Sequence, residues 1–263
     1  MAFRAIGKVN ILILLTDQKY TYLIKAIFLT LDFVNTKVMA KLLHFSSLTK
    51  KFIMAIAGLF LAVFLMVHLG INLFILPVTE NHVEIFEAAV HFMTTNPLIK
   101  AFEVVLFGGF IIHIIYGVIL QLQNWMARPV RYKREGFSHT SFFSKYMIHT
   151  GVIVFIFLAI HFMNFYFVKL GLTSAPEGPM SVTNSHDFYH MAVNLFSNKG
   201  YVAMYIVLII ILAFHLNHAF QSAFQSLGLN HGKYTPFIKV VGNIYSIVIP
   251  LGFICIPLYF LCF

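Results

Sequence analysis

Hydrophobic positions in this chain come in long unbroken runs, with neither strand-like alternation nor one-sided helical stripes. Residues 52–79, 104–127, 146–168, 200–232 and 240–263 contain no Asp, Glu, Lys or Arg. Each run exceeds the roughly 20 residues a helix needs to cross a hydrocarbon layer about 30 Å thick. Within lipid only a helix satisfies the backbone groups of an isolated segment. The pattern therefore predicts an all-α integral membrane bundle of five transmembrane helices, over about residues 52–77, 98–126, 145–170, 200–228 and 237–262. A soluble bundle would need polar faces recurring at helical spacing, and these runs lack them.

Composition agrees: 60% of the 263 residues are hydrophobic and only 10% charged, with 30 Phe, well beyond the apolar content of a soluble domain. The net charge of +9 is distributed unevenly. One set of flanks carries Lys41, Lys50, Lys51, Arg128, Arg131, Lys133, Arg134, Lys145, Lys233 and Lys239. The opposite loops carry Lys100, Lys169 and Lys199 with Glu80, Glu84, Glu87, Glu177 and Asp187. By the excess of Lys and Arg on the cytoplasmic side, the N-terminus is expected inside and the C-terminus outside. The basic face then meets anionic lipid or an acidic partner, and is no sign of nucleic acid.

Residues 1–45 are expected to form an N-terminal extension separate from the 46–263 membrane domain. Lys8, Asp17, Lys19, Lys25 and Asp32 interrupt its apolar stretches, so none is long enough to span. No small-residue cleavage site follows a clean apolar region either. The extension reads as an interfacial helix, a disordered segment, or residues preceding a true start at Met39, the last two being favoured.

Chemistry has few sources here. Cys255 and Cys262, the two cysteines, lie in the last run and read as small packing residues. No CxxCH, glycine-rich phosphate loop or nucleophile elbow occurs. What remains is histidine, and His68, His113, His149, His161, His215 and His218 fall inside the apolar runs. An ionisable residue in a span is costly and points to function, although any one of them could be a neutral imidazole donating to a neighbouring carbonyl.

Helical rise, about 1.5 Å per residue, converts sequence position into depth. His68 lies nine residues before Pro77 and His161 ten before Gly171, which puts both roughly 14 Å from the outer ends of their spans. His113 lies sixteen residues after Pro97 and His215 fifteen after Gly200, so both are roughly 23 Å from the outer ends. The four form two depth-matched pairs drawn from alternate spans. Two facing imidazoles are what a six-coordinate b-type haem requires, and iron ligation removes the penalty of burying the ring. Gly58 and Gly70 near His68, Gly108, Gly109 and Gly117 near His113, and Gly151 near His161 offer room for a flat macrocycle. Lys50, Lys51, Arg128 and Arg131 are candidate partners for haem propionates by position alone.

The segments SSLTKKFIMAIAGLFLAVFLMVHLGINLF from Ser46, HIIYGVILQLQNWMARP from His113 and FHLNHAFQSAFQSLGL from Phe214 resemble the di-haem, b558-type cytochrome b subunit of succinate dehydrogenase and fumarate reductase. The resemblance covers the chain from about Ser46 to Phe263, and HxxHxFQSxFQSLGL is its most specific element. It implies a five-helix anchor in the cytoplasmic (inner) membrane of a bacterium, holding two haems b and docking flavoprotein and iron-sulfur subunits on the inner face. By the resemblance, His68 and His161 ligate the distal haem and His113 and His215 the proximal one. His218, one turn after His215 on nearly the same face, competes for that role; the family pattern and the depth match favour His215. His149 has no depth-matched partner.

The resemblance also implies quinone chemistry, with menaquinone expected, near the outer haem. Glu87 and His91, one turn apart in the first outer loop, are the candidate proton relay, against the plainer reading of a solvated amphipathic loop helix. Electrons are then expected to pass between quinone, the two haems and a cluster on a partner subunit, where the dicarboxylate chemistry takes place. Two alternatives stay open: a haem b anchor for another membrane oxidoreductase, and a haem-free transporter whose histidines relay protons.

Overall fold

The computed structural model describes residues 45–126 and 146–262, with Leu48–Phe263 forming one compact unit. The expectations for residues 1–44, and those placed on Arg128, Arg131, Lys133, Arg134 and Lys145, lie outside the described residues. The described chain is helical, without strands. In order come α1 (Ser47–Asn72), a single tight turn (Leu73–Ile75), α2 (His82–Thr95), α3 (Pro97–Met126), α4 (Met147–His161), α5 (Phe188–Phe196), α6 (Lys199–Ser226) and α7 (Thr235–Cys262). Past His161, α4 continues through a π-type segment (Phe162–Tyr166) and a closing turn (Phe167–Lys169).

Five of these helical stretches are long and apolar enough to cross a membrane: Ser47–Ile75, Pro97–Met126, Met147–Lys169, Lys199–Ser226 and Thr235–Cys262. The shortest has 23 residues, about 35 Å at the helical rise. The chain is thus a multi-pass membrane protein. Much of its outer surface is apolar: Val63, Met66 and Val67 on α1, Val104, Val105 and Ile111 on α3, and Val240, Ile244 and Ile247 on α7 are all exposed. Lipid is the solvent such a surface suits.

The helix ends follow local chemistry. α1 starts at Ser47, five residues ahead of its charge-free run, because Lys50 and Lys51 end an apolar stretch without ending a helix. Pro97 occupies the first position of α3, where its missing N–H costs nothing, and the Asn96 side chain accepts from Leu98 N at 2.9 Å. Asn198 caps α6 in the same way, accepting from Gly200 N at 2.8 Å. At the other ends, Gly171 (φ 69°) and Gly228 (φ 78°) take the left-handed conformation that closes a helix.

α6 lies at the centre, packed along α7 and α4. Tight contacts hold the bundle: a Cβ at Gly252 would come 2.7 Å from Leu69 and one at Gly242 2.9 Å from Phe220. Polar groups add interhelical bonds, each worth about 0.6 kcal/mol within a bundle. Tyr245 OH donates to Ala62 O at 2.7 Å, joining α7 to α1. Asn217 donates to Asn243 Oδ1 (2.8 Å) and Ser246 Oγ (3.0 Å), joining α6 to α7. Pro250 and Pro257 sit within α7 and are buried, as neighbouring helices permit.

One end of the bundle is closed by α2, α5 and the connections around them. Its core comprises Ile75, Phe86, Ala192, Leu195, Phe196, Val202 and Tyr205. The 171–187 connection is pinned there by buried Asn194, whose side chain donates to Pro176 O and Met180 O and accepts from Met180 N.

Candidate functional site

α1 and α4 run past each other such that the imidazoles of His68 and His161 meet edge to face, ring centroids 5.7 Å apart and planes at 85°. Deeper, measured from the closed end, His113 of α3 faces His215 of α6, with centroids 6.4 Å apart and planes at 78°. The two pairings are those that helical rise predicts from sequence. Phe64, Phe253, Phe157 and Phe165 surround the first pair with ring contacts between 5.1 and 6.1 Å.

Polar atoms around the rings are unevenly provided. His113 Nδ1 and His161 Nδ1 are buried without a hydrogen bond, while the His113 ring interacts with the Met54 backbone. Asn72 donates to His68 O at 2.7 Å, and the same nitrogen lies 3.3 Å from His68 Nδ1. Thr150 Oγ1 lies 3.2 Å from His215 Nδ1. An orphaned buried ring nitrogen is costly unless something binds at the ring.

Glycine makes room for the deeper pair. A Cβ at Gly58 would stand 3.2 Å from His113 Cε1, and one at Gly151 3.5 Å from His215 Cε1. The glycines thus serve different histidines from those adjacent in sequence. Gly58 precedes His68 by ten residues, about 15 Å along α1, which brings it to the level of His113. Gly70, Gly108 and Gly117 have nothing within 4 Å of a notional Cβ, so no described residue packs closely there.

The other sequence candidates lie elsewhere. His218 is partly buried but makes no ring contact or hydrogen bond among the described residues, and His149 is exposed, its ring tilted against that of Tyr146. Glu87 and His91 both project from α2 into the surroundings, and no hydrogen bond or ion pair links either side chain to a described residue. Lys50 is buried at 2% exposure, whereas Lys51 is exposed.

Two polar groupings escaped the reading of the sequence. In the first, Glu103 of α3 accepts from Tyr166 OH at 2.7 Å and pairs with Lys169 at 3.2 Å, tying α3 to the end of the α4 stretch. Glu103 falls one residue before a charge-free run and Lys169 one residue after another, so a matched pair of opposite charges at one depth was the available signal. In the second, Asp187 caps α5 and receives His190 Nδ1 at 2.8 Å, Thr183 N at 3.0 Å and Thr183 Oγ1 at 3.1 Å. Burial alone would raise its carboxyl, but the bonds from Thr183 and His190 outweigh that and hold it below the ordinary carboxylate value.

The π-type segment begins at the residue after His161; such widened turns recur at functional positions. It aims Tyr166 at Glu103 and Asn164 at Tyr205, whose OH accepts at 3.0 Å. Tyr205 in turn contacts the His161 ring at 6.4 Å. Beside it a groove of about 380 Å³ opens between Ile160, Met163 and Asn164 of α4 and Asn198, Gly200, Tyr201 and Met204 at the start of α6.

Compared with protein-family models, curated proteins and solved structures, the chain gives no match to any of them.

Proposed function

We propose that the chain is a di-haem cytochrome b of the succinate dehydrogenase and fumarate reductase type. In this reading it anchors flavoprotein and iron-sulfur subunits to the cytoplasmic membrane of a bacterium and passes electrons between them and quinone. The observation that carries the reading is the pair of histidine pairs: four imidazoles, one from each of four spans, meeting two by two at two depths.

The residues fit such a group. The two rings of each pair, with centroids 5.7 and 6.4 Å apart, are close enough that one metal ion could be shared between them. Two protein ligands would suffice for a bound group that brings further ligands of its own, as a porphyrin does. Gly58 and Gly151 give the imidazoles of His113 and His215 the room to face each other.

His68 and His161 would hold the outer haem, and His113 and His215 the inner one. A haem b so held supplies reversible one-electron transfer. The chain's part is to fix the imidazoles, exclude water with Phe64, Phe157, Phe165 and Phe253, and carry the centres at two depths. The groove beside Asn164 gives a membrane-soluble ring such as menaquinone an approach to the outer pair. Glu87 and His91 are retained as the residues that exchange its protons at the outer surface. The basic inner face is proposed as the docking side for the partner subunits.

The test is a dithionite-reduced minus oxidised spectrum with pyridine haemochrome quantification on purified protein. Two haems b per chain are expected. Well-folded protein with no haem band would overturn the reading and favour a proton-coupled transporter, while haem without binding of the flavoprotein and iron-sulfur subunits would indicate another oxidoreductase's anchor.

A further inference from the structure

Thr150 lies one residue before Gly151 on α4, beside the ring of His215. Its hydroxyl carries a single hydrogen, and that hydrogen is committed: Thr150 Oγ1 donates to Met147 O at 2.9 Å. Only its lone pairs therefore face His215 Nδ1, 3.2 Å away. For that contact to be a hydrogen bond, the ring nitrogen must be the donor. A neutral imidazole has one N–H, so donation from Nδ1 leaves Nε2 with a free electron pair. We infer that Thr150 is a positioning residue: it locks His215 in the Nδ1–H tautomer and so presents Nε2 as a ready metal ligand.

At none of the other three paired histidines does a described residue accept a hydrogen bond from Nδ1. His113 Nδ1 and His161 Nδ1 have no hydrogen bond, and the nitrogen near His68 Nδ1 is the amide of Asn72, itself a donor. The two centres are therefore built unequally. A hydrogen bond from Nδ1 makes an imidazole a more basic, stronger donor, which favours the oxidised metal. Thr150 thus lowers the potential of the centre shared by His113 and His215 and leaves that of His68 and His161 alone. The inference about potential rests on the di-haem reading; the tautomer assignment does not.

The experiment uses the full-length purified chain with Thr150→Val, which keeps the shape and removes the lone pairs, and Thr150→Ser, which restores them. Redox titration is expected to show one of the two haem midpoints rising in Thr150→Val, the other unchanged, and Thr150→Ser behaving as the parent. If Thr150→Val instead loses a haem, the proposal requires Thr150→Ser to regain it at the parent potential. Fully loaded Thr150→Val with both midpoints unchanged, or Thr150→Ser failing to match the parent, overturns the proposal. Histidine ¹⁵N spectra of haem-free chain read the tautomer directly: His215 is expected as Nδ1–H in the parent and as a mixture in Thr150→Val. An Nε2–H or mixed parent signal would also overturn it. A chain that never carries haem defeats the proposed function but leaves this spectrum decisive for Thr150.

Discussion

His68 and His161 stand 93 positions apart in the chain, yet their rings meet at 5.7 Å and 85° between α1 and α4. If the pair shares one haem, as proposed, it acts as one unit, so removing either partner should cost what removing both does. His68→Ala, His161→Ala and the double variant are each expected to lose the same single haem. His113→Ala and His215→Ala should each lose the other. Haemochrome quantification of the five variants checks this; a double variant losing more haem than either single one would mean that the two residues do not share a centre.

Gly58 tests whether depth or sequence neighbourhood decides the site. A side chain there meets His113, which already lies 3.2 Å from a notional Cβ, while Gly70 has open space. Gly58→Val is expected to displace His113, with a packing cost of about 1–3 kcal/mol, and, on the proposed di-haem reading, to deplete the haem shared by His113 and His215. Gly70→Val, two residues from His68, should keep both centres. Parallel spectra and thermal unfolding in detergent distinguish the two; loss of the His68 centre in Gly58→Val would reverse the assignment.

These glycines also mark where the sequence stops being readable. Charge-free length located all five spans, because the membrane imposes one requirement, apolar length, that any window of residues displays. Helical rise then paired His68 with His161 and His113 with His215, since depth is linear in residue number. Azimuth is not: which face of α1 carries Gly58 toward α3, or of α4 carries Thr150 toward α6, depends on how the helices rotate against each other. The same limit hid the pairing of Glu103 with Lys169, the latter read only as an outer-loop charge, and the π-type segment, whose widened turn FMNFY leaves no mark in the sequence. α2 was legible as an amphipathic loop helix, but α5 was not, because its nine residues gain their order from Asp187, Asn194 and the core they cover.

Glu103 and Lys169 form a partly buried ion pair at the edge of the bundle, with side-chain exposures of 26% and 18%. Removing one partner of such a pair strands the other, a larger loss than removing both. Glu103→Gln, which also weakens the bond from Tyr166, is expected to cost about 1–3 kcal/mol. Lys169→Met should cost a similar amount, and the combined variant less than the sum of the two. A double-mutant cycle on thermal unfolding in detergent measures the coupling, and strict additivity would mean that the pair contributes nothing.

Asp187 gives the closed end a defined response to acid. Its side chain is 5% exposed, and bonds from Thr183 and His190 hold the carboxyl below its ordinary value of 3.8. A depressed folded value means that the carboxylate's contribution is complete above the unfolded value and disappears as pH falls through the folded one. At pH 7, Asp187→Asn is therefore expected to be less stable than the parent by about 1–2 kcal/mol. The gap should hold down to about pH 4 and close below it, as the parent's carboxyl takes up its proton. Unfolding midpoints in detergent at pH 7, 5 and 2.5 follow the gap directly. A difference that persists undiminished at pH 2.5 would show that the capping geometry, and not the charge, supports α5.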